Sequence, residues 1–355
     1  MELLNRKKTG KVERPVKVLQ FGEGNFLRAF VDYMIDIANE QGKFNGDIVL
    51  VKPIEFGSLD RFHDQECQYT VQLRGIVDGE PKRINRIVTS VADAVDAYGE
   101  YQKYADYAKL DSLRYIVSNT TEAGIVYDDT DRLEMEPPKS YPGKLTKFLY
   151  ERYKHFNGAM DKGLVMLPVE LIDDNGIHLK ECVEKLAVLW NLEEGFKTWL
   201  DEACVFTSTL VDRIVTGYPR DEAEELCKEF GYQDNLIVTG EPFALWVIES
   251  AKDISKEFPL PDAGLPVIFT DNQKPYKQRK VRILNGAHTS FVLASYLCGN
   301  DIVLESMQDE LIFNFMKATI FDEVIPTLTL PKQDLIDFAE AVITRFNNPY
   351  VKHAL

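Results

Sequence analysis

The sequence predicts an α/β protein, with an open, largely parallel sheet over residues 1–272 and a mainly α-helical domain over residues 273–355. Three observations lead there. Apolar strand-like runs alternate with helix-period segments through the first two-thirds of the chain. A glycine-rich turn separates the first such run from the first such helix. Beyond the polar, Pro-containing stretch Thr270-Asp271-Asn272-Gln273-Lys274-Pro275, the apolar spacing becomes helical only. A chain of 355 residues is long enough for two domains.

Element by element, Val16-Lys17-Val18-Leu19-Gln20-Phe21 is a buried strand that ends in Gly22-Glu23-Gly24. Phe26, Ala29, Phe30, Tyr33, Met34, Ile37 and Ala38 then keep helical spacing to about Glu40, and Ile48-Val49-Leu50-Val51 supplies the next strand. Tyr69 to Ile76 and Arg83 to Val91 flank Val77-Asp78-Gly79-Glu80-Pro81, which predicts a hairpin inserted into the sheet plan. Tyr115 to Ser118 and Gly163 to Leu167 are further buried strands, each followed by a polar loop of the kind that carries ligands in open α/β sheets. The last third predicts helices over Lys280 to Leu297, Glu305 to Ile320 and Lys332 to Phe346.

Composition narrows the function. With 41 Lys plus Arg against 57 Asp plus Glu, the formal charge is −16, which argues against nucleic-acid or anionic-membrane binding. No signal-peptide pattern opens the chain and no apolar run reaches the roughly 18 residues of a membrane span, so the expected compartment is the cytoplasm. Cys67, Cys182, Cys204, Cys227 and Cys298 are scattered and never spaced Cys-x-x-Cys, and the five histidines form no ligand spacing with them. Reduced thiols and no catalytic metal are expected.

Two segments carry chemistry. Gly22-Glu23-Gly24-Asn25-Phe26-Leu27, between strand and helix, suits a pyrophosphate, because glycines admit close backbone approach and the helix start offers free N–H groups. A plain tight turn is the alternative, since Leu27 stands where the usual fingerprint has its third glycine. Lys52-Pro53 ends the second strand without the ribose-binding acid expected for NAD, although Glu55 lies close, so the pattern leaves NAD and NADP open. The second segment runs from Asn272 to Asn300, which contains no Asp or Glu although these make up 57 of 355 residues overall. Within it Lys274, Lys277, Arg279, Lys280 and Arg282 form a basic island suited to a small carboxylate or phosphate, or else a solvated helix start. On an α-helix Lys280, Asn285 and His288 fall on one side, either as a general base with two oxygen-binding partners or as a core histidine with a capping lysine. Tyr276 and Lys280 also match the spacing of a short-chain dehydrogenase pair, but they stand far from the glycine turn and in the other domain.

Phe21 to Phe30 together with Lys280-x-x-x-x-Asn285-x-x-His288 resemble the long-chain mannitol dehydrogenase family, which is metal-independent and NAD(P)-linked. Ser118 to Ile125, Glu170 to Asp173, Ser208 to Asp221 and Asn348 to His353 are similar to the branch of that family that interconverts D-tagaturonate and D-altronate. The resemblance implies a Rossmann-type N-terminal domain, NAD as cofactor and a hexuronate as the small-molecule substrate. It places catalysis on Lys280, Asn285 and His288, and cofactor contacts on Gly22, Gly24, Asn25, Phe26, Leu27, Thr121, Glu122 and Asp212. Lys277, Arg213, Arg345 and Lys352 are the expected substrate-binding cations, Lys277 first, because it replaces a family glutamate one turn before the lysine. Glu170-Leu171 stands where mannitol dehydrogenases carry a second oxyanion-binding asparagine. The helical domain is expected to be incomplete at its C-terminus. Fructuronate/mannonate chemistry, a phosphorylated polyol and an inactive dinucleotide-binding fragment are the alternatives, and oligomeric state is not legible.

Overall fold

The structure is a computed structural model that describes residues 1–120 and 124–355. Its first eight strands are β1 (Val16–Phe21), β2 (Asp47–Lys52), β3 (Tyr69–Val77), β4 (Glu80–Val88), β5 (Val91–Asp96), β6 (Tyr115–Ser118), β7 (Val165–Pro168) and β8 (Val205–Phe206). Six of them form one sheet in the order β5-β2-β1-β6-β7-β8, every neighbouring pair parallel. β1, β2, β6 and β7 are buried from end to end or nearly so, which is why they show as uninterrupted apolar runs. The order reverses between β1 and β6, and the crevice outside their carboxyl ends is where such a sheet binds a ligand.

The hairpin does not join this sheet. Asp78 and Gly79 take φ of 55° and 80°, the two-residue turn that matches strand twist, and β3 and β4 pair over Tyr69–Val77 and Glu80–Val88. They build a second sheet, β10-β11-β3-β4, with β10 (Val215–Gly217) and β11 (Val238–Gly240). The main sheet instead takes β5, a strand not expected from the sequence, whose first residue, Val91, was expected to end the hairpin.

A third sheet, β13-β12-β9, joins the two halves of the molecule, with β9 at Ser208–Asp212, β12 at Leu245–Glu249 and β13 at Val267–Thr270. Alternate residues of β12 face opposite ways. Trp246 and Ile248 belong to the core of the N-terminal half, together with Phe30 and Phe258. Leu245 and Val247 belong to the helical core, together with Ile283, Phe291, Phe338 and Phe346. At about 1.5–3 kcal/mol for each large apolar side chain removed from water, this two-faced strand binds the domains firmly.

Four helices matter for the site. α1 spans 25–40 without a break and contains one π-helical stretch, Arg28–Asp32. α2 (Tyr141–His155) starts at Ser140, whose hydroxyl oxygen accepts the Gly143 N–H at 2.9 Å. α3 spans 274–297, beginning six residues earlier than its apolar pattern because Pro275 sits in the first turn, where a missing N–H costs nothing. α4 (Lys332–Phe346) has the predicted bounds. The helix expected over Glu305 to Ile320 is instead broken at Asp309, whose extended backbone and side chain cap the Leu311 and Ile312 N–H groups.

Candidate active site

The glycine turn is shaped by two different requirements. Gly22 has φ of 119°, and a Cβ on it would lie 3.2 Å from the Asn119 carbonyl oxygen and 3.2 Å from Leu27 Cδ1. Only glycine fits there, and Leu27, in the place of a third glycine, packs directly against it. A Cβ on Gly24 would meet nothing within 4 Å. It would project into a cavity of about 820 Å³ lined by Gly22, Glu23, Gly24, Pro53, Ile54 and Asn119 on one side and by Lys139, Ser140 and Tyr141 on the other. The cavity thus lies across the carboxyl ends of β1, β2 and β6, with the start of α1 at one wall and the start of α2 at another.

Asn25 is held by a residue that sequence reasoning passed over. Arg28 is buried and donates to Asn25 Oδ1 at 2.6 Å and to the Leu236 carbonyl at 2.6 Å, over the faces of Phe62 and Tyr69. Phe26 stacks on Phe30 with 5.0 Å between ring centroids. It also lines a smaller cavity of about 310 Å³ with Asn119, Leu171, Asp212 and Lys280. Thr121 and Glu122 lie outside the described residues.

Lys280 stands at a junction. It lines that inner cavity and also an adjoining one of about 350 Å³ shared with Glu170, Asp173, Gln273, Lys274, Lys277 and Asn285. Its ammonium is half-buried, donates to the Val211 carbonyl at 3.0 Å, and has its pKa lowered chiefly by burial and secondarily by Arg345, against the opposing pull of Asp212. Lys280–Asn285 is a π-helical stretch, whose i→i+5 closure stacks residues five apart. An α-helix does not put Asn285 on the side of Lys280 as expected, since five residues at 100° each leave them about 140° apart; the wider π turn narrows that angle, and both line the same cavity. His288 lines neither cavity. Its ring stacks on His353 at 5.5 Å, its Nε2 is buried without a partner among the described residues, and its pKa is lowered by burial and by His353.

The four expected substrate-binding cations separate. Arg345 is buried and makes four donor contacts, two to Asp212 at 2.9 and 3.0 Å and two to Glu241 at 2.8 and 2.9 Å. This pairing raises its pKa despite burial. Arg213 gives its guanidinium to the Phe243, Ala29 and Pro242 carbonyls. Arg345 is thus engaged by two carboxylates, whereas Arg213, though bound to carbonyls, lines the inner cavity with Lys280; Asp212, expected beside the cofactor, spends both oxygens on Arg345 while lining that cavity too. Lys277 stays at the cavity, paired with Asp173 on the loop after β7. Lys352 is exposed in the irregular tail after α4. Glu170 turns inward, accepting from Ser118 Oγ at 3.2 Å and from the Thr120 N–H and hydroxyl at 3.1 and 3.0 Å, so it ties the ends of β6 and β7 together. Glu241 carried no signal in the sequence, and Asp173 stood there only as the end of the Glu170 to Asp173 resemblance, because each is defined by a partner more than a hundred residues away.

A switch-point cavity, a glycine turn at a helix start and a half-buried lysine on a second, helical domain define a dinucleotide-binding protein of the two-domain dehydrogenase class. The model of the mannitol dehydrogenase Rossmann domain matches residues 16–261, and that of the mannitol dehydrogenase C-terminal domain matches residues 272–355. The chain belongs to the mannitol dehydrogenase family. It is 45% identical over 353 residues to the altronate oxidoreductase of Phocaeicola vulgatus, covering 99% of this chain and 74% of that one. It is 47% identical over 356 residues to that of Shigella flexneri, covering 100% and 74%. Among solved structures, Pseudomonas fluorescens mannitol 2-dehydrogenase in ternary complex with NAD and D-mannitol superposes with a TM-score of 0.78 at 23% identity, over 100% of this chain and 75% of that one.

Proposed function

We propose that this protein is an NAD-dependent, metal-independent oxidoreductase that interconverts D-altronate and D-tagaturonate. The observation that carries the reading is Lys280 at the meeting of two cavities, one reaching toward the glycine turn through Phe26 and Asn119, the other carrying the cations Lys274 and Lys277. The resemblance to altronate oxidoreductases over the whole chain supports the substrate, and the cytoplasm is the compartment in which we place the reaction.

The residues present fit a dinucleotide: Gly24 leaves open space where a side chain would intrude, and α1 begins there with uncommitted N–H groups. Hydride transfer at the nicotinamide is the chemistry that NAD supplies when bound. In altronate oxidation the neutral form of Lys280, which burial favours, takes the proton of the substrate hydroxyl; in tagaturonate reduction the ammonium returns it. Asn285 donates its amide N–H to the substrate oxygen as charge develops there; His288, which lines neither cavity, is left out of this step. Lys277 takes the substrate carboxylate, exchanging Asp173 for it.

Among the described residues no three His, Cys, Asp or Glu side chains gather in a metal-ligand group, and no helix is long and apolar enough to cross a membrane. The test is nicotinamide absorbance with purified protein offered tagaturonate, fructuronate, fructose and fructose 6-phosphate, each with NADH and NADPH. Turnover of tagaturonate with NADH supports the reading; turnover confined to another substrate overturns it.

A further inference from the structure

The dinucleotide site lacks its usual ribose reader, and the structure shows what occupies that place. At the end of β2, Lys52 is 1% exposed, and its ammonium is held by the Ile54 carbonyl at 2.9 Å, the Glu55 carbonyl at 3.2 Å and Asp96 at 3.0 Å. Lys52 therefore shapes the 53–56 turn and has no contact left for a phosphate. Asp96, at the end of the neighbouring strand β5, is likewise committed to Lys52 and to the Tyr98 N–H.

Glu23 differs from all of these. It stands between the two glycines, lines the 820 Å³ cavity beside Pro53 and Ile54, and has Lys52, Arg28 and Asp96 as its charged neighbours. It accepts no hydrogen bond from another residue among those described, and burial raises its pKa. Its neighbours Lys52 and Asp96 end the strands on the adenosine side of the switch point, whereas Phe26 and Asn119 lead to the reaction side. Lys139, the one cation lining the cavity among the described residues, belongs to the start of α2 instead of the β2 end.

We propose that Glu23 is the specificity-determining residue for the cofactor, accepting hydrogen bonds from the vicinal hydroxyls of the adenosine ribose and repelling a 2′-phosphate. The inference deepens the NAD reading by assigning to the glycine turn a task that the strand end performs in the usual fingerprint. A carboxylate in that position discriminates twice, by a charge-assisted bond to the diol and by like-charge repulsion of the phosphate.

The test is equilibrium binding of NADH and NADPH, followed by nicotinamide fluorescence without substrate, for the natural protein and for Glu23→Gln and Glu23→Ser. A charge-assisted hydrogen bond contributes roughly 1.5–3 kcal/mol, so the preference for NADH falls by about tenfold or more in both variants, with NADPH binding more tightly than before. Variants that weaken both cofactors equally overturn the proposal and make Glu23 a prop for the turn; unchanged affinities overturn it as well. A natural protein that binds NADPH as tightly as NADH removes the proposal while the dinucleotide site stands, and one that binds neither removes the dinucleotide reading itself.

Discussion

The two ends of the active site are built in opposite ways. At the cofactor end the chain uses backbone: Gly22 takes a φ that other residues avoid, Gly24 leaves empty space, and α1 presents its first N–H groups, all within a few consecutive residues. At the substrate end it uses side chains from distant segments, with Lys280 on α3, Asp173 after β7, Asp212 on β9, Glu241 after β11 and Arg345 on α4. Both ends carry a π-helical stretch beside a cavity, Arg28–Asp32 and Lys280–Asn285. The difference teaches that the cofactor end can be changed one atom at a time, whereas the substrate end responds as a network.

The largest break in the comparison is chemical. Lys280→Ala removes the proton carrier, so kcat falls by about two to four orders of magnitude while NADH binding is kept. Steady-state kinetics with a parallel NADH titration check this, and near-natural turnover sinks the mechanism.

Next comes the network. Arg345→Met leaves Asp212 and Glu241 buried without their cation, costing about 3–5 kcal/mol of stability, read as a lowered denaturation midpoint. A stable variant with only a raised KM would restore Arg345 to the substrate. Lys277→Glu acts more locally: KM for the hexuronate rises about tenfold with kcat little changed, because a charge-assisted bond to the carboxylate is lost.

The glycines sharpen the contrast further. Gly24→Val places its side chain in open space, so cofactor affinity falls while the melting temperature holds. Gly22→Ala strains a backbone at φ 119° beside the Asn119 carbonyl and costs about 1–3 kcal/mol, lowering affinity and melting temperature together. Two variants with the same profile would mean that the turn does not divide its duties in this way.

The same contrast explains how much the sequence shows. The glycine turn and the bounds of Lys332–Phe346 are local, fixed by spacing and by residues with few backbone choices, and both are legible. Pro275 misleads because a proline read as a breaker also suits a helix start. The separate hairpin sheet depends on β10 and β11, more than a hundred residues away, and no local pattern reveals it. Lys280 and Asn285 can be picked out as polar groups on an apolar helix, but their meeting in one cavity depends on the π turn. The pairing that withdraws Arg345 from the substrate lies between positions 212, 241 and 345, and neither spacing nor charge pattern announces it.

The measurement that bears most directly on the central claim is the pH dependence of kcat for altronate oxidation, in the natural protein and in Lys280→Ala. Burial lowers the Lys280 pKa from the ordinary 10.5, and only the neutral amine accepts a proton, so oxidation rises with pH through one ionisation below that value and tagaturonate reduction falls through it. The limb disappears in Lys280→Ala. A limb that persists unchanged in that variant would contradict the account, because the proton would then be carried by another group.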